Sequence, residues 1–223
     1  MVMEISNLRK TINVLSMISA LAAIIFDYLG QTFLYSICKP LTTVLILSLL
    51  FFVTNNRMWQ FKNIIIAALI FCLIGDVLLL KEEYFVFGLG SFLIGHLLFA
   101  TGFIKLEGFQ FHWALLFILM TIGGGLFIWL RPDLGSMEIP VGVYVIVIVF
   151  MAWQGTGLFL KQQQKVYCLI GIAVLLFMFS DTIIAINKFK TTFKLSGLVI
   201  LITYWLSISL IANASFLILR KKS

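Results

Sequence analysis

Apolar residues occur in runs of about 20, each closed by a short polar cluster, and this pattern covers nearly the whole chain. An α-helix rises about 1.5 Å per residue, so a run of that length matches the roughly 30 Å hydrocarbon core of a bilayer. The runs predict helices at about residues 12–29, 33–53, 63–80, 84–105, 112–130, 138–160, 166–187 and 195–219. Asn55, Asn56 and Arg57, then Lys81, Glu82 and Glu83, Arg131, Pro132 and Asp133, Gln162, Gln163 and Gln164, and finally Lys188 and Lys190 mark the breaks. No segment remains for a soluble domain, so residues 1–223 read as one integral membrane domain. The expected fold is all-α, a polytopic bundle of eight transmembrane helices; ten-residue alternating segments, the mark of a membrane β-barrel, are missing from the pattern.

Composition sharpens this. The chain is 62% hydrophobic and 11% charged, with a mean hydropathy of +1.12, far outside the balance of soluble domains. A net charge of +7 would suit nucleic acid if it were clustered, but the 16 Lys and Arg are scattered singly between apolar runs and read as topology signals. With eight spans, both termini share a side. That side carries Arg9, Lys10, Arg57, Lys62, Lys105, Lys161, Lys165, Arg220, Lys221 and Lys222, against Lys81, Arg131, Lys188, Lys190 and Lys194 on the other. The bias predicts both termini in the cytoplasm and the protein in the cytoplasmic membrane. The first apolar run contains Asp27 and lacks a small-residue cleavage pattern, so it reads as a retained helix, not a signal peptide. Cys38, Cys72 and Cys168 have no paired spacing and read as buried thiols.

Charge inside hydrocarbon costs at least about 2.5–3.5 kcal/mol per residue, which makes every intramembrane ionisable group a functional candidate. Asp27, Lys39, Asp76 and Asp181 fall within roughly 10 Å of the face opposite the termini. His96 sits deeper, and Tyr144 and Tyr204 can reach toward the same layer from the sixth and eighth helices. Asp76 and Asp181 also occupy matching places in two similar segments, Leu69–Leu79 and Leu175–Ala185, as a 4+4 parallel repeat would require. Each aspartate follows a small residue, Gly75 or Ser180, which permits close approach. Lys39 precedes Pro40, where a helix starts or kinks and frees backbone groups. Gly88, Gly95 and Gly102 recur at heptad spacing, so one face of the fourth helix should lie tightly on a neighbour.

Other chemistries lack their signals. No GxSxG elbow, Walker A loop, GxGxxG or HExxH stands in the chain, and the second histidine, His112, lies at a loop edge, so neither a metal site nor a cofactor is expected. The aromatic residues read as lipid-facing or belt positions.

Four segments carry a family resemblance: KPLTT (Lys39–Thr43), GDVLLL (Gly75–Leu80), FGLGSFLIGHLLF (Phe87–Phe99) and SDTIIAINKF (Ser180–Phe189). In order and spacing they are similar to the motifs of the YhhN family of eight-helix membrane proteins. The resemblance implies a lysoplasmalogenase, which hydrolyses the vinyl ether of a lysoplasmalogen to a fatty aldehyde and a glycerophospho head group. It implies Asp76 and Asp181 as the catalytic pair, with Lys39 and His96 in the same motif set. The substrate is then a lysophospholipid drawn from membrane lipid, with no nucleic acid partner; the oligomeric state is left open. Such a reaction needs a carboxyl that delivers a proton to the vinyl carbon, and apolar surroundings favour the neutral carboxyl. The second carboxylate would stabilise the cation, with Lys39 steering the phosphate, His96 holding the pair or a water, and Asp27, Tyr144 and Tyr204 in support. Two rivals explain the same charged layer: a small proton- or ion-coupled transporter, which should show a polar path to both faces, and a lipid-binding structural protein without chemistry.

Overall fold

Backbone amides in hydrocarbon have no water to bond, so each apolar run must close its own hydrogen bonds as a helix. The computed structural model describes residues 2–53 and 56–221, among which there are eight α-helices and no strand. They are α1 (Val2–Tyr28), α2 (Thr32–Ser48), α3 (Trp59–Leu78), α4 (Phe85–Glu107), α5 (Trp113–Leu134), α6 (Glu138–Gln162), α7 (Lys165–Phe189) and α8 (Ser196–Lys221). Asn55 and Lys222, used above as a break and a topology signal, lie outside the described residues. Seven helical stretches are long and apolar enough to cross a membrane; one of them, Trp113–Gln162, comprises both α5 and α6. The chain reverses between these two at Gly135, whose φ of 52° suits glycine. Arg131 then meets Glu138, and a Cβ on Gly123 would touch Val149, as an antiparallel hairpin requires.

The elements start and stop near the expected places, with two differences. α1 begins at Val2, ten residues before the apolar run, because its polar first turns extend the same helix. α2 starts before Pro40 and continues past it, with α-helix on both sides. The termini share one face: Arg9 and Arg220 both lie over the Phe216 ring, and Asn13 and Asn213 exchange amide hydrogen bonds of 2.9 and 3.0 Å between α1 and α8.

The packing repeats. In each half the first helix packs on the second, the second on the third and the third on the fourth, while α4 crosses to α6 and α8 crosses to α2. Within this frame the heptad glycines of α4 all face α3. A Cβ would come within 2.6 Å of Leu79 at Gly88, 3.3 Å of the Ala68 carbonyl oxygen at Gly95 and 2.8 Å of Ile65 at Gly102. Large side chains that are exposed, such as Phe117, Ile118, Ile122 and Ile128 on α5, cover the outside, as expected where lipid is the solvent. The centre is filled by Phe99, Phe103, Met151, Leu158, Ile170 and Val174, all fully buried.

Because the nearest obstacle at Gly95 is backbone, Gly95→Val cannot be absorbed by a rotamer change and should destabilise the bundle by about 1–3 kcal/mol. Gly124→Ala, with nothing within 4 Å, should leave thermal unfolding in detergent unchanged. Equal melting of the two variants would contradict this packing.

Candidate active site

The seven residues singled out in the sequence lie on α1, α2, α3, α4, α6, α7 and α8, in the half of the bundle away from the termini. Asp76 is 1% exposed near the end of α3. Its Oδ2 accepts hydrogen bonds from the Thr43 hydroxyl of α2 at 2.5 Å and the Tyr204 hydroxyl of α8 at 2.8 Å. Asp181 stands on α7, where its Oδ2 accepts from the Tyr144 hydroxyl of α6 at 2.5 Å and lies 3.6 Å from His96 Nε2 of α4. The two aspartates are therefore served in the same way, each by a hydroxyl from the helix before it and by a ring from the last helix of the other half. This correspondence matches the repeated packing.

No hydrogen bond joins the two carboxyls. Between their partner sets stands Phe177, fully buried, whose ring is 4.5 Å from that of His96 and 5.4 Å from that of Tyr204. Phe92 packs edge-on to both Phe177 and Tyr204. Gly75 makes room for it: a Cβ there would come within 2.5 Å of the Phe92 ring. The small residue before Asp76 thus admits an aromatic wall and not a ligand.

The two half-sites differ in what they face. Asp181 and Tyr144 face a narrow cavity of about 50 Å³ between α4, α5, α6 and α7, lined otherwise almost wholly by apolar side chains such as Leu89, Leu126, Val145, Ile148 and Met178. Asp76 is not among its lining residues. Lys39 belongs to the Asp76 side: it is 7% exposed, its Nζ lies 5.7 Å from the Tyr35 ring centroid, and it is within Coulombic range of Asp76 and Asp27. It does not line the cavity either. Asp27 remains exposed at the end of α1, with its Oδ2 3.1 Å from where a Gly197 Cβ would stand. His96 is fully buried behind Asp181, and neither of its ring nitrogens hydrogen-bonds a protein group.

Sequence reasoning passed over Thr43, Phe92 and Phe177. Thr43 had a readable signal, since it lies one turn after Lys39 in the KPLTT segment and so shares its helix face. The two phenylalanines had none, being two of 22 in an apolar chain.

Fold and site together define an all-α polytopic membrane protein with two intramembrane carboxyls, one of them beside an apolar cavity. The model of the YhhN family matches residues 34–215, and the chain belongs to that family. It is 33% identical to lysoplasmalogenase TMEM86A of Bos taurus over 154 residues, covering 66% of this chain and 63% of the relative. It is 30% identical to the human lysoplasmalogenase TMEM86B, over 65% of this chain and 60% of that one. The Escherichia coli O157:H7 protein named uncharacterized membrane protein YhhN is 27% identical over 61% of this chain and 65% of its own length. The matched region thus spans somewhat less than two thirds of each of these relatives. No solved structure matches the chain.

Removing the Tyr204 hydroxyl takes one of its two donors from the buried Asp76. Tyr204→Phe should cost about 1–3 kcal/mol of stability, read as a lower unfolding temperature in detergent. An unchanged temperature would show that Asp76 does not depend on this bond.

Proposed function

We propose that the protein is a membrane hydrolase that cleaves the vinyl ether bond of a lysoplasmalogen, with Asp181 as the acid. The observation that carries this reading is the position of Asp181 and Tyr144 as a hydrogen-bonded polar pair in the wall of a cavity lined otherwise, Thr182 apart, by apolar side chains. A chain bound there brings its enol ether carbon beside the Asp181 carboxyl. The names of the relatives point the same way.

The steps balance with one carboxyl and one water. Neutral Asp181 gives its proton to the outer vinyl carbon, which leaves an oxocarbenium ion beside the new carboxylate. The negative charge stabilises that cation where water cannot screen it. Water adds to the ether carbon, Asp181 takes back a proton, and the resulting hemiacetal collapses to a fatty aldehyde and the glycerol hydroxyl of the head-group product. Tyr144 holds the Asp181 oxygen in place by its hydrogen bond. His96, 3.6 Å from the same oxygen and otherwise unbonded, has the capacity to orient the attacking water.

Asp76 takes a different part. Held by Thr43 and Tyr204 and facing Lys39, it is a positioning residue that fixes α2, α3 and α8 around the Phe92 and Phe177 wall. Lys39 offsets its charge, and Asp27 offsets that of Lys39. The charge bias of the loops supports an orientation with both termini on the cytoplasmic side of the inner membrane. Against the transporter alternative stand Phe99, Phe103, Met151 and Val174, whose complete burial fills the half of the bundle below the cavity and supports a pocket open to one side.

Mass-spectrometric detection of fatty aldehyde from purified protein and a lysoplasmalogen panel tests the activity. Asp181→Asn should lower release at least about 100-fold while leaving the unfolding temperature near that of wild type, and Tyr144→Phe should lower it less. Asp76→Asn should lose both stability and activity together. Undiminished aldehyde release by Asp181→Asn would remove the assignment.

A further inference from the structure

A second cavity, of about 740 Å³, lies at the opposite end of the bundle from the aspartates, where the ends of α4 and α6 meet the first turn of α7 and the last turn of α8. One side of it is a fixed polar frame. The Tyr167 hydroxyl donates to Glu107 Oε1 at 2.5 Å, and the Gln162 amide donates to Glu107 Oε2 at 3.1 Å, so both carboxylate oxygens are engaged and α4 is tied to α6 and α7. Lys165 and Lys221 line the same space, and neither meets a carboxylate among the described residues. On the far face, by contrast, Lys81, Arg131, Lys188 and Lys190 each pair with one. The remaining wall is apolar: Leu217 and Ile218 stand four and three residues before Lys221, one helical turn or roughly 5 Å nearer the hydrocarbon. The turn between α6 and α7 adds two features. Gln163 holds a left-handed backbone, with φ of 49°, where glycine is the usual residue; its side chain is exposed at the cavity, so no core packing accounts for it. α7, 25 residues long, then starts at Lys165 without a side-chain cap, which leaves the positive end of its dipole beside the lysine.

We infer that this cavity is a binding site for an anionic phospholipid of the adjoining leaflet, with its phosphate between Lys165 and Lys221 and an acyl chain along Leu217 and Ile218. Basic pockets between the ends of transmembrane helices suit such head groups. Charge supports the assignment: two lysines against the one carboxylate of Glu107 leave a single positive charge in the lining, which a phosphodiester with one negative charge balances. A zwitterionic head group would bring an ammonium to a cavity whose lining carboxylate already has its donors. The apolar wall one turn below the lysines supports a lipid over a free phosphate, which would use the rim alone. Leu217 is 37% exposed, so that wall runs on into the lipid-facing surface of α8. The site stands apart from the Asp181 cavity and does not depend on the cleavage reading.

Native mass spectrometry of the full-length protein in detergent reads the binding directly. Three probes are compared: diacyl phosphatidylglycerol, phosphatidylcholine with the same chains, and inorganic phosphate. Wild type should retain phosphatidylglycerol in preference to phosphatidylcholine, and excess inorganic phosphate should not displace it. Lys165→Gln combined with Lys221→Gln should weaken phosphatidylglycerol about thirtyfold and leave phosphatidylcholine unchanged, while Lys165→Arg with Lys221→Arg should bind as wild type does. Lys10→Gln combined with Lys105→Gln removes two exposed charges from the same end of the bundle but outside the cavity, and should leave binding near wild type. Gln163→Gly should weaken the lipid severalfold without lowering the unfolding temperature. An equal loss in the two glutamine double variants would reduce the effect to general surface charge and overturn the site. Equal retention of phosphatidylcholine, or displacement by inorganic phosphate, would overturn the anionic lipid as its occupant.

Discussion

A carboxyl placed in hydrocarbon has no solvent to satisfy it, so it must find donors on other helices, and this requirement organises the bundle. Asp76 draws a hydroxyl from α2 and another from α8. Asp181 draws one from α6 and sits against a ring on α4. Two side chains therefore cross-link most of the helices at one depth. The cost of leaving a buried polar group unpaired, about 1–3 kcal/mol, enforces that arrangement more strictly than apolar packing could, because lipid competes for apolar surface as well as a neighbouring helix does.

The symmetry of these bonds is matched by an asymmetry of surroundings. One half-site is sealed by Phe92, Phe177 and Tyr204 and faces Lys39; the other faces an apolar cavity. The repeated helix packing gives each carboxyl a hydroxyl from the preceding helix but sets only Asp181 beside the cavity.

Much of this was legible in the chain. Run lengths alone specify eight helices, since length against bilayer thickness leaves little freedom. The ionisable residues inside those runs, Asp76, Asp181, Lys39 and His96, stood out because hydrocarbon tolerates so few. The glycine heptad correctly indicated a tight face on α4, and a Cβ test identifies α3 as its partner. What could not be read was which carboxyl faces a cavity. That depends on where α5 leans and which phenylalanines fill the centre, and in an apolar chain every phenylalanine looks alike. The polar clusters that served as mere helix breaks, Glu82, Arg131, Asp133 and Lys188, proved to be neighbours in space, because hairpins return distant loops to the same rim.

α5 stands at the edge of the bundle, with one side on α6 and the other turned outward through Phe117, Ile118, Ile122 and Ile128. A molecule already dissolved in the bilayer meets this flank by lateral diffusion. Encounter with this flank then happens in two dimensions, and its frequency scales with mole fraction in the leaflet and not with concentration in water. A water-insoluble compound that never leaves the membrane is, for such a protein, in ordinary solution.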